Sequence, residues 1–108
     1  MRFLFAAAVL AGAAPAFADA PDGAAVFSKR CAGCHGADGK GETKVGHKYH
    51  VADLSSPAWA RKTTPEKAHD TIANGVEGKM PPMKHKLSPE EVDAVTAYVF
   101  TLSKAKSK

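Results

Sequence analysis

The segment CAGCH places two thiols and an imidazole within five residues, at Cys31, Cys34 and His35. Three kinds of chemistry use this spacing: a structural zinc site, a redox-active disulfide, and the covalent attachment of a haem. A structural zinc site usually takes four ligands from two such pairs, and the chain contains only 2 cysteines. A thioredoxin-like pair follows a β-strand, and no convincing strand pattern precedes Cys31. Both of these interpretations are therefore weak.

Haem attachment uses all three side chains. Two thiols separated by two residues can add to the two vinyl groups of a haem, and the histidine that follows can bind the iron. Ala32 and Gly33 are small, so the backbone can pass close to the edge of the ring. The segment therefore predicts one covalently bound haem c, with Cys31 and Cys34 as thioether donors and His35 as the proximal axial ligand.

The second axial ligand has to come from another segment. The candidates that the sequence offers are Met80, Met83, His47, His50, His69 and His85. Both methionines lie in EGKMPPMKHK, a largely polar stretch stiffened by two prolines, which argues against a role as core filler, most clearly for Met80. A thioether ligand would also raise the reduction potential relative to two histidines.

The segment that leads into CAGCH carries the signals of a helix. Asp22 can cap the helix-favouring residues that follow it and run into Cys31. Further along, SSPAWAR favours one short helical turn, with Ser56 as the cap and Pro57 in the first turn.

Two longer helices are predicted in the second half. Thr64 and Pro65 begin the first of them, and Asn74-Gly75 ends it. Ser88 and Glu91 form a capping box at the start of the second. Its apolar residues recur at helical spacing, at Val92, Val95, Val99 and Leu102, joined by Tyr98.

The remaining segments are read as irregular. Residues 36–56 lack sustained periodicity and are predicted to be a loop. EGKMPPMKHK is predicted to be extended because of Pro81 and Pro82. Since no stretch alternates as a convincing strand, the chain is predicted to be all-α.

The start of the chain has the pattern of a secretory signal peptide: Arg2, an apolar run, and Ala16-Phe17-Ala18 before the predicted cut. This pattern predicts a signal peptide over residues 1–18, one domain over residues 19–108, and export to the periplasm. No later stretch is long and apolar enough to cross a membrane. The net charge of +4 comes without a basic block interleaved with aromatics, so nucleic acid is not expected as a partner.

In several segments the chain resembles class I c-type cytochromes, the small soluble monohaem electron carriers of bacteria. The likeness covers the whole predicted domain, and it rests on GAAVF leading into CAGCHGADGKG, on DLSSPAW, on IANGVEGKMPP and on LSPEEVDAVTAYVFTL. The resemblance implies a cytochrome c fold, in which N- and C-terminal helices cross and a middle helix and loops wrap one covalent haem. It places Gly23 against Tyr98 at the crossing, with Phe27 and Val95 beside them.

The resemblance also bears on the ligands. It implies Met80, which precedes Pro81, as the distal axial ligand, and Met83 as an apolar residue that packs near the haem. Trp59 would bind a haem propionate or pack against the ring, and Arg61 is a weaker propionate candidate. One departure is that Gly46-His47 stands where many members have Gly-Pro, whose carbonyl orients the proximal histidine.

The function implied is single-electron transfer between redox partners, such as a dehydrogenase, a cytochrome complex or a terminal oxidase, and not catalysis. Acidic docking faces are expected on these partners, because lysines follow the haem motif, at positions 40, 44 and 48, and flank the proposed ligand, at positions 79, 84 and 86. A monomer is expected. The alternative is a haem-based sensor whose sixth ligand gives way to a small molecule. A catalytic haem domain would need acid-base residues over an open iron face, and no dedicated set is present.

Overall fold

The computed structural model describes residues 20–106, with side chains through Ser103, so the predicted signal peptide lies outside the described residues. Within this part the helices are α1 (Gly23–Arg30), α2 (Ala32–His35), α3 (Lys44–Tyr49), α4 (Pro57–Lys62), α5 (Pro65–Asn74) and α6 (Pro89–Lys106), with a 3₁₀ helix at Met83–His85. The β-structure in residues 20–106 is one isolated bridge, between Val76 and Met80. The predicted all-α fold is confirmed.

The predicted helix starts are confirmed by their capping hydrogen bonds. Asp22 Oδ1 accepts from the Ala24 amide at 3.0 Å, and Thr64 Oγ1 accepts from the Lys67 amide at 3.1 Å. At the start of α6 the capping box closes in both directions, because the Ser88 amide donates to Glu91 Oε1 at 2.8 Å and the Glu91 amide donates to Ser88 Oγ at 3.1 Å. Each of these bonds satisfies a backbone donor that the helix itself leaves unpaired.

The first and last helices cross at a glycine, as the resemblance implies. A Cβ atom on Gly23 would overlap the Ala94 carbonyl oxygen of α6 and lie 2.9 Å from Tyr98 Cβ. Beside the crossing, the rings of Phe27 and Tyr98 have centroids 5.4 Å apart. Val95 is fully buried in the same core. The missing side chain at Gly23 is therefore what lets the two helix backbones approach this closely.

The prediction of a loop over residues 36–56 is wrong in part, because α3 lies within it. Thr43 caps this helix, with its Oγ1 accepting from the Gly46 amide at 2.8 Å, and His50 ends it in the left-handed conformation with φ 55°. Its six residues, KVGHKY, have no apolar stripe, so the periodicity that reveals longer helices is absent. Packing of Gly46 against the backbone of the CAGCH segment holds the helix instead.

The prediction of an extended path through EGKMPPMKHK is also wrong in part. The chain turns tightly before the prolines, with the Met80 amide donating to the Val76 carbonyl at 2.8 Å. It is extended at Pro82, with φ −72° and ψ 117°, and then enters the 3₁₀ helix that begins at Met83. The segment is therefore two turns joined by a short extended stretch.

None of the helices in residues 20–106 combines the length and the apolar character that a membrane crossing requires.

Candidate haem site

A cavity of about 330 Å³ opens beside CAGCH and is enclosed by α1, α5, α6 and the turn that ends at Met80. Cys31 and His35 lie in one part of its lining, and Met80 lies in another. The walls between them are largely apolar, with contributions from Phe27, Leu54, Ala68, Ile72, Val95 and Val99. The arrangement is that of an apolar compartment supplied with a thiol, an imidazole and a thioether.

The haem motif directly follows α1 and itself forms α2. α1 ends at Arg30, and Cys31 both ends this helix and precedes α2. The amides of Cys34 and His35 donate to the Cys31 carbonyl at 3.2 and 2.9 Å, so the motif folds into one helical turn. This turn brings His35 to the cavity lining, while Cys34 is half-buried next to it.

Burial shifts the pKa of Cys31 and of His35, the two residues of CAGCH that line the cavity. Burial, and to a smaller extent the neighbouring Cys34, raises the pKa of the Cys31 thiol to about 11. A reactive redox thiol needs a lowered pKa, so the raised pKa of Cys31 argues against a thioredoxin-like pair. Burial also lowers the pKa of His35, which favours the neutral imidazole that a metal ion binds.

The His35 ring is placed by packing alone. Its Nδ1 is buried with no hydrogen-bond partner among the described residues, and its nearest aromatic neighbour is Phe27, with ring centroids 6.4 Å apart. The resemblance implies a backbone carbonyl of a Gly-Pro segment as the hydrogen-bond acceptor for this nitrogen. Gly46-His47 stands at that position here, and it places no acceptor within hydrogen-bond distance of His35 Nδ1. A buried polar atom without a partner costs free energy, and metal coordination would give the ring a second constraint on its orientation. The residues present therefore fit a haem whose iron is bound by His35.

The carbonyls of the motif are held by the loop that follows it. Thr43 Oγ1 donates to the Cys34 carbonyl at 2.6 Å, and the Gly41 amide donates to the His35 carbonyl at 2.7 Å. Gly46 packs so closely that a Cβ atom there would lie 2.8 Å from the Cys34 carbonyl oxygen. Thr43 thus joins the haem motif to α3 through one hydroxyl, a role that its sequence position alone does not reveal.

We expect Thr43→Val to lower the free energy of unfolding by about 1–2 kcal/mol, the usual cost of losing a helix cap. Valine keeps the shape of the side chain but removes the hydroxyl that bonds to Cys34 and Gly46. Denaturant melts of the haem-loaded protein measure the change. Thr43→Ser is the matched control, since it keeps the hydroxyl, and equal midpoints for the two variants would contradict the role of this bond.

The two candidate methionines occupy different environments. Met80 is half-buried in the cavity lining, whereas Met83 is 4% exposed and belongs to the hydrophobic core. Of the histidines, His50 lines the cavity, His47 and His85 are exposed outside it, and His69 pairs with Asp93 at 2.9 Å. No group of three or more His, Cys, Asp or Glu side chains in the described part of the chain is arranged to hold a metal ion, which argues against the zinc interpretation.

Trp59 lies in the cavity lining, and its ring packs at a tilt against that of Phe100 of α6, with ring centroids 5.3 Å apart. Arg61 is exposed and lies outside the lining. The sequence did not identify Tyr49 and Val51, which line the cavity on either side of the candidate ligand His50, at the end of α3 and just beyond it. Only the cap signal of Thr43 could have pointed to the helix that delivers them.

The helical fold, the crossing at Gly23 and the cavity beside CAGCH together define a class I c-type cytochrome, a class that carries covalently bound haem c. Residues 18–99 match the family described as cytochrome c oxidase, cbb3-type, subunit III, and the chain belongs to this family. Haem c supplies one-electron chemistry at its iron, so electron transfer is the chemistry that the class performs.

Individual relatives agree with this assignment. The chain is 39% identical over 94 residues to the cbb3-type cytochrome c oxidase subunit FixP of Azorhizobium caulinodans, a match that covers 86% of this chain and 31% of that protein. It is 38% identical over 85 residues to cytochrome c6 of Nostoc sp., covering 77% of this chain and 70% of that one. Among solved structures, the KustC0563 c-type cytochrome superposes with a TM-score of 0.72 at 33% identity, covering 76% of this chain and 98% of that one. The chain spans about a third of the FixP relative.

Proposed function

We propose that this protein is a periplasmic electron carrier with one haem attached through Cys31 and Cys34 and with His35 and Met80 as axial ligands. The observation that carries the proposal is the cavity lining, which contains both His35 and Met80 while Met83 is buried in the core. The chain offers an imidazole and a thioether to one compartment, which is the ligand pair that gives a c-type cytochrome a raised potential.

Each residue has a separate task in this proposal. Cys31 and Cys34 would fix the ring covalently, while His35 and Met80 would fill both axial positions and leave none for a substrate. The apolar walls would keep water from the iron, and Trp59 would pack against the ring or bind a propionate. Together these residues would keep the iron in one environment in both oxidation states, which suits electron transfer more than catalysis.

The route to the periplasm is part of the same proposal. Residues 1–18 would act as a signal peptide cut after Ala18, and residues 19–108 would form the carrier. The mass of the mature protein tests both the cut and the covalent attachment of haem. It should equal the mass of a chain that begins at Asp19 plus one haem.

The experiment that tests the ligation is a spectrum of the reduced holoprotein with and without carbon monoxide. An unchanged six-coordinate spectrum is expected, because Met80 would occupy the distal position. Rapid carbon monoxide binding would overturn the carrier proposal in favour of a sensor with a displaceable sixth ligand.

Partners are proposed from charge. The FixP relative is named as a subunit of a cbb3-type oxidase, and a terminal oxidase is accordingly one class of partner for this chain, beside dehydrogenases and cytochrome complexes. Lys79 lies in the cavity lining, and Lys48 Nζ lies 5.3 Å from the ring centre of Tyr49, which is also in the lining. These cations would meet an acidic docking face on a monomeric carrier.

We expect the rate of electron transfer to an acidic redox partner to fall several-fold as ionic strength rises from about 0.01 to 0.2 M, because salt screens attraction between the two faces. Stopped-flow absorbance measures the rate. Lys79→Gln should flatten the salt dependence, whereas Lys67→Gln, which changes an exposed lysine on α5 outside the lining, should leave it nearly unchanged. A salt-independent rate in the parent protein would remove the steering argument.

A further inference from the structure

A second concave surface lies on the outside of the molecule, in the groove between α5 and α6. It has a volume of about 710 Å³. Its floor is formed by Ala73, Ala97 and Phe100, and Pro65 closes one part of it. Small residues on both helices leave this groove open, and the Phe100 ring is the largest apolar group in it. The surface therefore offers an apolar floor to a partner.

The floor of the groove is connected to the haem cavity by two aromatic rings. Phe100 lines the groove, Trp59 lines the cavity, and their ring centroids are 5.3 Å apart with an interplanar angle of 32°. This distance is within the range of a direct aromatic contact. A molecule seated on Phe100 would thus be separated from the cavity by the thickness of the Phe100–Trp59 pair.

The rim of the groove is acidic, in contrast to the net charge of +4 of the whole chain. Glu66, Asp70 and Asp93 line it and are exposed, and none of the lysines or arginines with described side chains is in the lining. Two side chains moderate this charge. His69 Nε2 lies 2.9 Å from Asp93 Oδ1, and Lys84 Nζ donates to Asn74 Oδ1 at 2.9 Å. Three carboxylates above an apolar floor are complementary to a lysine-rich surface.

We propose that the groove between α5 and α6 is a docking surface for a redox protein with a lysine-rich face, and that one electron passes between this partner and the haem over Phe100 and Trp59. The proposal rests on the proposed carrier function and adds a second face of opposite charge to the lysine-bearing one. The partner loses one electron and the ferric haem gains it, or the reverse, with no bond formed or broken. A carrier with two such faces can distinguish its donor from its acceptor by charge.

The docking surface is mapped without any redox reaction by titrating decalysine into the ¹⁵N-labelled, reduced holoprotein and following the amide resonances. Shifts are expected in residues 66–73 and 93–100, and they should weaken at least about threefold in Glu66→Gln/Asp93→Asn. Both of these carboxylates line the groove, and amide replacements keep their shapes. The matched control is Glu42→Gln/Glu77→Gln, which changes the net charge equally at exposed residues outside the groove and should bind decalysine like the parent.

The electron route is tested with two small reductants of opposite charge. Hexaammineruthenium(II) should reduce the ferric holoprotein roughly 3–10-fold more slowly after Glu66→Gln/Asp93→Asn at low ionic strength, and the control pair should have a smaller effect. The anionic iron(II)–EDTA complex should not be slowed by the groove variant. Phe100→Leu should slow the cationic reagent selectively, provided that its absorption spectrum and midpoint potential match the parent.

Three results would overturn the docking proposal: decalysine shifts centred away from α5 and α6, equal effects of the groove and control pairs, or sedimentation that shows self-association through the groove, which would make a second copy the occupant. If neither reductant reduced the haem, the carrier function itself would fail. Reduction by both reagents with no dependence on the groove would overturn only the docking surface.

Discussion

Replacing Met80 by alanine is expected to abolish the far-red sulfur-to-iron charge-transfer band of the oxidised protein, lower its midpoint potential and open the iron to added imidazole or cyanide. Met80 is the methionine in the cavity lining, and the turn closed by its own amide on the Val76 carbonyl, at 2.8 Å, presents it there. Under the proposed ligation, the substitution would remove a soft thioether ligand, which favours reduced iron. Absorption spectra and a redox titration of the oxidised holoprotein measure all three effects.

Met83→Ala is the control with the same chemical change. Met83 is 4% exposed in the core, so its loss should cost about 2–5 kcal/mol of stability and leave the far-red band in place. The reverse result, with the band lost only in Met83→Ala, would transfer the ligand role to Met83. A parent protein without the band would point to a histidine, and His50 would then be the first to replace, because it lines the cavity.

Gly23→Val is expected to destabilise the holoprotein by roughly 1–3 kcal/mol, the usual cost of overpacking. The added side chain would collide with the Ala94 carbonyl and with Tyr98 Cβ, and these belong to the backbone and the root of a side chain in α6, which cannot swing aside. The helices would have to separate, and the core around Phe27 and Val95 would open with them.

The free energy of unfolding in denaturant measures this cost. Ala24→Val is the matched control, because it adds a similar branched side chain to the exposed face of the same helix and should cost only a few tenths of a kcal/mol. Equal melting midpoints for Gly23→Val and the parent would mean that the helices do not pack closely at this glycine in solution.

The helices that the sequence predicts best are those with strong local signals. Thr64, Ser88 and Asp22 each accept a bond from the helix they begin, and Gly75 ends α5 with φ 75°, a conformation that favours glycine. These signals act within a few residues, so they can be read without knowing the fold. The haem motif is equally local, because all its donors lie within five residues.

The parts that the sequence did not predict depend on contacts between distant segments. α3 exists because Gly46 packs on the Cys34 carbonyl and Thr43 bonds to it, a contact that no pattern within KVGHKY encodes. The sequence favours Met80 over Met83 as the ligand, but the tertiary positions are what place Met80 in the cavity lining and Met83 in the core. The contact between the Phe100 and Trp59 rings joins two helices that are far apart in the chain.

The helix crossing also determines when the protein can fold. Gly23 and Ala94 are separated by roughly 70 residues, and closing a loop of this length costs about 4 kcal/mol of chain entropy before the contact forms. Because α6 follows the other described helices in the chain, the core of Phe27 and Val95 cannot assemble until all of those helices are available. Until then CAGCH, which directly follows α1, would lack this core beside it, and under the proposed attachment its two thiols would be accessible to haem.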